Sequence, residues 1–172
     1  MNKPTIFILA GELSGDLHGA ALAHSIKRIN PNIRLDGWGG DEMANAGVNI
    51  FRNLNHLAFM GFVEVAKNTK NVLANFKLIK KYFRKQRPDI IILVDYPGFN
   101  LKVAKIAFKS GIPVYYFISP TVWAWKSKRM YVIKDYVKKL YCILPFEVNF
   151  YHQHNIDNVA YLGNPLIDKV NH

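Results

Sequence analysis

The sequence predicts an α/β fold, a doubly wound parallel sheet, and three observations carry that expectation. Short apolar runs bounded by Gly, Pro, Asn or Asp alternate with longer segments of helical period. The run Ile90-Ile-Ile-Leu-Val94 has no polar alternation, as a central strand covered on both faces requires. The first apolar run enters a glycine-rich turn ahead of the first helix.

In chain order, the first strand is expected over 5–10, closed by Gly11, with a helix over 16–29. Pro31 and Asn32 introduce a strand over 33–38, and a short helix at 41–46 leads through Gly47 to a third strand at 48–51. Val72, Phe76, Ile79 and Phe83 recur at helical spacing and predict a helix over 69–85. Pro88 precedes the central strand, 89–94. A helix over 101–110 ends at Gly111-Ile-Pro113, with Gly after the last turn and Pro beyond it. The remaining expectations are strand 114–118, helix 126–136, strand 138–144, helix 147–154 and strand 159–162.

At 172 residues, half of them hydrophobic, the chain suffices for one domain with a core. One domain is expected over 1–172, with about 163–172 entering a linker. Lys and Arg number 23 against 12 Asp and Glu, so an anionic partner is plausible, although charge alone does not rank nucleic acid, lipid and phosphorylated metabolites. The single cysteine, Cys142, lies in an apolar run and reads as a buried structural thiol. The apolar run near the amino terminus is too short for a signal peptide, and no stretch approaches the roughly eighteen apolar residues of a spanning helix. A cytoplasmic protein with at most peripheral membrane contact is therefore expected.

Ligands of doubly wound sheets collect at the carboxyl ends of strands where strand order reverses, usually between the first and fourth. After strand one comes Gly11-Glu-Leu-Ser-Gly-Asp-Leu-His-Gly19, whose glycines fall outside the dinucleotide fingerprint. Glu12 and Asp16 would repel a phosphate, which favours a hydroxyl-rich sugar; alternatively Asp16 is a helix cap and Gly11 and Gly15 are turn residues. After strand four comes Val94-Asp-Tyr-Pro-Gly-Phe-Asn100, where Asp95 is placed to accept a proton as a general base, or to cap the next helix. His18 is the second candidate for a base.

After strand five, Ser119-Pro-Thr-Val-Trp-Ala-Trp125 sets Trp123 and Trp125 in a loop, where they pack on a ligand or on the sheet edge. Lys126, Lys128 and Arg129 form a phosphate site or a solvated helix start. From Lys67 to Arg87 there are eight basic residues and no acid, and the apolar segment 57–63 lies ahead of them. That pairing suits an anionic membrane surface, or simply a solvated helix face. The six histidines form no metal constellation, and no metal or cofactor is expected.

Ala10-Gly-Glu-Leu-Ser-Gly-Asp-Leu-His-Gly-Ala20, Met60-Gly-Phe-Val-Glu-Val65, Asp95-Tyr-Pro-Gly-Phe-Asn100, Ser119-Pro-Thr-Val-Trp-Ala-Trp125, Leu144-Pro-Phe-Glu147, Phe150-Tyr151 and Leu162-Gly-Asn-Pro165 occur in that order. This ordered set resembles the lipid-A-disaccharide synthase family across essentially the whole chain. The resemblance implies a GT-B type glycosyltransferase of two Rossmann-like domains, of which this chain is the amino-terminal, acceptor-binding one and lacks the second. It implies inverting transfer from UDP-2,3-diacylglucosamine to 2,3-diacylglucosamine 1-phosphate, giving the β-1′,6-linked disaccharide and UDP in lipopolysaccharide biosynthesis. The enzyme is then peripheral on the inner face of the inner membrane, binding its anionic surface and no nucleic acid. Asp95 matches the position of the base, and Glu12, Ser14, Asp16, Met60, Asn100 and the Ser119, Pro120, Trp123 and Trp125 loop match other cleft positions. Gly11, Gly15, His18 and Arg129 complete the expected substrate-binding set. Gly98 departs from relatives that carry a second acid there. The alternatives are another lipid-linked-sugar glycosyltransferase of the same fold, which would carry a different glycine-rich loop after strand one, or a non-catalytic sugar-lipid-binding module.

Overall fold

The computed structural model describes residues 3–54, 69–120 and 128–165. Seven strands form one parallel sheet in the order β3-β2-β1-β4-β5-β6-β7: β1 Thr5–Ala10, β2 Arg34–Gly39, β3 Asn49–Asn53, β4 Ile90–Val94, β5 Val114–Phe117, β6 Lys139–Cys142 and β7 Val159–Tyr161. The described helices are α1 Leu13–Ile29, α2 Asp41–Asn45, α3 Thr69–Gln86, α4 Pro97–Lys109, α5 Lys128–Tyr136 and α6 Pro145–Gln153. The order reverses between β1 and β4, which pair in register from Ile6 and Ile90 to Ala10 and Val94.

Each face of the sheet has its own core. Ile8, Ala10, Ile92 and Val94 point to one side, against Ala20 and Ala23 of α1 and Met43 of α2. Phe7, Leu9, Ile91, Leu93 and Tyr116 point to the other, against Ile79, Tyr82 and Phe83 of α3 and Phe99, Val103 and Ala107 of α4. Burial on both faces explains why β4 lacks alternation, and each fully buried side chain of this size contributes about 1.5–3 kcal/mol.

Three helices begin earlier than the sequence suggests. α4 starts at Pro97 and α6 at Pro145, because proline's fixed φ suits the first helical turn, where its missing N–H would lack a partner anyway. α1 starts at Leu13, so Ser14 and Gly15 join Asp16 and His18 on the helix and do not lie in a preceding loop. The strands expected over 114–118, 138–144 and 159–162 end earlier, at Phe117, Cys142 and Tyr161.

A polar cluster ties α3 to the sheet edge. Asp36, buried in β2, accepts hydrogen bonds from Arg34 Nε at 3.0 Å, Asn49 Nδ2 at 3.1 Å and the Tyr82 hydroxyl, and pairs with Arg34 Nη2 at 2.9 Å. Three donors compensate the buried carboxylate, which would otherwise be costly.

Candidate functional site at the carboxyl ends of β1, β4 and β5

Beyond Val94, the Asp95 N–H donates to Phe117 O at 3.0 Å and extends the β4–β5 ladder by one step. The chain then turns through two consecutive left-handed residues, Asp95 at φ +44° and Tyr96 at φ +46°. Ile118 at the end of β5 is also left-handed, at φ +69°, a conformation that opposes its β-branched side chain. Strain of this kind costs about 1–3 kcal/mol per residue and persists only where the surroundings over-determine it. Here the restraints are explicit. Asn100 Nδ2 donates to Val94 O at 3.0 Å and to Asp95 O at 2.7 Å, and the Tyr116 hydroxyl donates to Asp95 O at 2.6 Å. The Tyr96 carbonyl accepts from Asn100 N at 3.1 Å at the start of α4.

Across the switch point, Gly11 lies under the Tyr96 ring. A Cβ at position 11 would sit 2.0 Å from Tyr96 Cδ1, so only glycine admits this approach. Glu12 follows at the head of α1, exposed, and Ser14 Oγ donates to its Oε1 at 2.8 Å. Glu12 lies near enough to the Asp95 side chain for its charge to act on it. Burial, then the nearby Glu12 charge, push the Asp95 carboxyl up from 3.8 to about 6, against the opposing pull of the Tyr96 N–H. A carboxyl that titrates near neutrality, partly buried and at the topological switch point, has the properties a general base needs.

The other expected site residues occupy different places. Asp16 is turned away from the crevice: it is 2% exposed, and its oxygens accept from Gly40 N at 2.6 Å, Glu42 N at 3.1 Å and Met43 N at 3.3 Å. It caps α2 across the fold, which replaces both expected roles, solute contact and capping of its own helix. Gly15 lies buried in α1 against Ala10, and His18 is half-buried one turn further on. Asn100 is fully buried, with its amide committed to backbone carbonyls, so it shapes the crevice from beneath. Ser119 and Pro120 are likewise buried: Ser119 Oγ shares a 2.8 Å hydrogen bond with the Tyr151 hydroxyl, which donates to Pro120 O at 3.2 Å and anchors the loop base to α6. Arg129, partly exposed in the first turn of α5, exerts its charge on Tyr116 from the β5 side. Met60, Trp123 and Trp125 lie outside the described residues, as does the apolar segment 57–63.

Sequence reasoning missed Tyr116, Tyr151 and Glu147. Glu147 is buried and accepts from Leu144 N at 3.0 Å and Ile143 N at 3.3 Å, which ties the start of α6. Tyrosine in an apolar strand reads as an ordinary strand former, so nothing in the pattern marks Tyr116. Among the described residues, no group of three or more His, Cys, Asp or Glu side chains could hold a metal ion. A separate concavity of about 850 Å³, lined by Lys80, Arg84, Arg87 and Lys109 among others, lies at the opposite end of the central strand, before β4. There the cations complement the carboxyl ends of α3 and α4, and they take no part in the crevice.

Comparison with known proteins gives close sequence relatives and a shared fold. Lipid-A-disaccharide synthase of Coxiella burnetii (strain Dugway 5J108-111) is 42% identical over 166 residues, covering 96% of this chain and 44% of the relative. Its counterpart in Syntrophus aciditrophicus (strain SB) is 43% identical over 170 residues, covering 99% and 44%. Lipid-A-disaccharide synthase 1 of Legionella pneumophila (strain Paris) is 41% identical over 170 residues, covering 98% and 44%. The chain thus spans somewhat less than half the length of these curated relatives. Among solved structures, a UDP-N-acetylglucosamine 2-epimerase superposes with a TM-score of 0.71 at 15% identity, covering 99% of this chain and 51% of the other. MurG of Acinetobacter baumannii gives 0.54 at 12%, covering 95% and 45%. These structural likenesses concern the fold alone. The family described as lipid-A-disaccharide synthetase matches residues 6–172, and together with the sequence relatives this establishes that the chain belongs to that family.

Proposed function

We propose that this chain is the acceptor-binding half of an inverting glycosyltransferase, with Asp95 as its general base. The donor is UDP-2,3-diacylglucosamine, the acceptor 2,3-diacylglucosamine 1-phosphate, and the products are the β-1′,6-linked disaccharide 1-phosphate and UDP. The observation that carries the reading is the Asp95 turn: a carboxyl raised to about 6, held on a strained and multiply bonded turn, in a chain of this family. The acceptor's 6-hydroxyl gives its proton to Asp95 as its oxygen attacks the anomeric carbon from the face opposite UDP. The C–O bond to UDP breaks as the new one forms, which inverts that carbon without a glycosyl-enzyme intermediate. Glu12 raises the proton affinity of Asp95, and Ser14 holds Glu12.

The leaving diphosphate needs positive charge or aligned donors, usually a large electrostatic contribution to such a reaction. Glu12 and Asp95 make this crevice acidic, so the donor's diphosphate is assigned to the half of the family's length that this chain does not span. Lys77, Lys80, Lys81 and Arg84 stand exposed on α3, which supports docking of the acylated acceptor's membrane through that face. No helix among the described residues is long and apolar enough to cross a membrane. The test is a disaccharide assay in detergent with both acylated substrates, using residues 1–172 alone and joined to the remaining half of the Coxiella burnetii relative. Disaccharide formation only by the joined protein is expected. Formation of disaccharide by residues 1–172 alone would place the donor site in this chain and overturn the assignment.

A further inference from the structure

We propose that Tyr116 is a positioning residue for Asp95: its phenol, acting with the Asn100 amide, clamps the Asp95 carbonyl in the left-handed turn and so holds the carboxyl in the crevice beside Glu12. The inference rests on the reading of Asp95 as the base.

Two donors from different elements converge on one carbonyl. The Tyr116 hydroxyl reaches it from β5 at 2.6 Å, and Asn100 Nδ2 reaches it from the first turn of α4 at 2.7 Å. Both side chains are fully buried, so water does not replace either bond. Tyr116 sits among Leu93, Val103 and Leu140 in the apolar core, where a phenyl ring would fill the same space. Its hydroxyl is buried, and the bond to Asp95 O gives it a partner. Without the clamp, Asp95 and Tyr96 are free to return to negative φ, which swings the carboxyl away from Glu12 and toward water.

The charged and titratable groups that face the Asp95 turn are Glu12 from the end of β1, Tyr96 beside it and Tyr116 from β5, with Tyr151 of α6 and Arg129 of α5 acting through Tyr116. Of these, Glu12 and burial set the Asp95 proton affinity directly, and both depend on where the turn holds the carboxyl.

The experiment titrates the Asp95 side-chain carbon by NMR in the 172-residue chain, in wild type, Tyr116→Phe and Glu12→Gln, and measures the φ-dependent Asp95 H–N–Cα–H coupling. In Tyr116→Phe the coupling is expected to move toward negative φ and the titration midpoint to fall by about one pH unit, with the amide spectrum away from β4 and β5 unchanged. Glu12→Gln should lower the midpoint and leave the coupling alone. A folded Tyr116→Phe chain with unchanged coupling and midpoint overturns the proposal. So does a wild-type chain with no slowly exchanging Tyr116 hydroxyl proton close to the Asp95–Tyr96 peptide, a measurement that does not depend on the variant folding. In the joined two-domain protein, Tyr116→Phe is expected to lower kcat about tenfold with acceptor KM unchanged and to move the acid limb of the pH–rate profile with the NMR midpoint. Should Asp95→Asn retain turnover there, the base assignment fails while the NMR arm still decides the clamp.

Discussion

Asp95→Asn keeps the shape of the side chain and removes its charge, so it separates what the site costs the fold from what it does. In the folded chain the carboxyl titrates at about 6 against an ordinary 3.8. Its folded proton affinity is raised, so its contribution to stability is fully present below the ordinary value and is lost as pH rises through 6. The two-unit difference corresponds to about 3 kcal/mol, and partial solvent access screens this to roughly 1–2 kcal/mol. The amide of the variant carries no charge for burial or Glu12 to oppose and still accepts from the Tyr96 N–H, so it needs no titrating proton. Urea unfolding of the chain and the variant should therefore show the variant more stable by roughly 1–2 kcal/mol at pH 8, with only about a third of that margin left at pH 4.5. An equal margin at both pH values, or a variant less stable at pH 8, would refute the assignment of a strained, charge-loaded Asp95.

Other substitutions probe the supports. Gly11→Ala should destabilise the chain by about 1–3 kcal/mol in thermal unfolding, because its Cβ would land 2.0 Å from the Tyr96 ring; an unchanged melting temperature would contradict that contact. Asp16→Ala leaves the Gly40, Glu42 and Met43 amides without acceptors and should cost roughly 2–4 kcal/mol; near-native stability with lost acceptor binding would return Asp16 to the crevice. Cys142 is fully buried and burial pushes its thiol up to about 12, so a disulfide reagent at pH 8 should modify it only as the chain unfolds. Rapid labelling of the native chain would show that β7 opens away from β6.

The sheet was legible because several of its strands are apolar on both faces and bounded by Gly or Pro, and the glycine turn and Asp95 fall at the switch point that the strand order dictates. Helix starts were less legible. Pro97 and Pro145 look like breakers in isolation, yet each begins a helix, since a preceding turn residue or cap absorbs the change of direction. Asp16 shows why a motif does not reveal the direction of its side chains. Its carboxylate is bound by amides 24 to 27 residues away, which no local pattern encodes. Ser119 and Asn100 are similar: their partners come from α6 and from the preceding turn, and only tertiary packing makes them supports and not contacts. The Asp36 cluster stayed hidden because its partners Asn49 and Tyr82 lie 13 and 46 residues away, which no local pattern encodes.

The central claim, that Asp95 takes the proton of the attacking hydroxyl, is tested most directly by the steady-state kinetics of Asp95→Asn in the joined two-domain protein. With both acylated substrates in detergent, kcat is expected to fall by roughly a hundredfold or more with acceptor KM nearly unchanged, and the acid limb near pH 6 should disappear from the residual rate. Near-normal turnover by a folded variant, with that limb intact, would contradict the claim and move the role to Glu12 or His18.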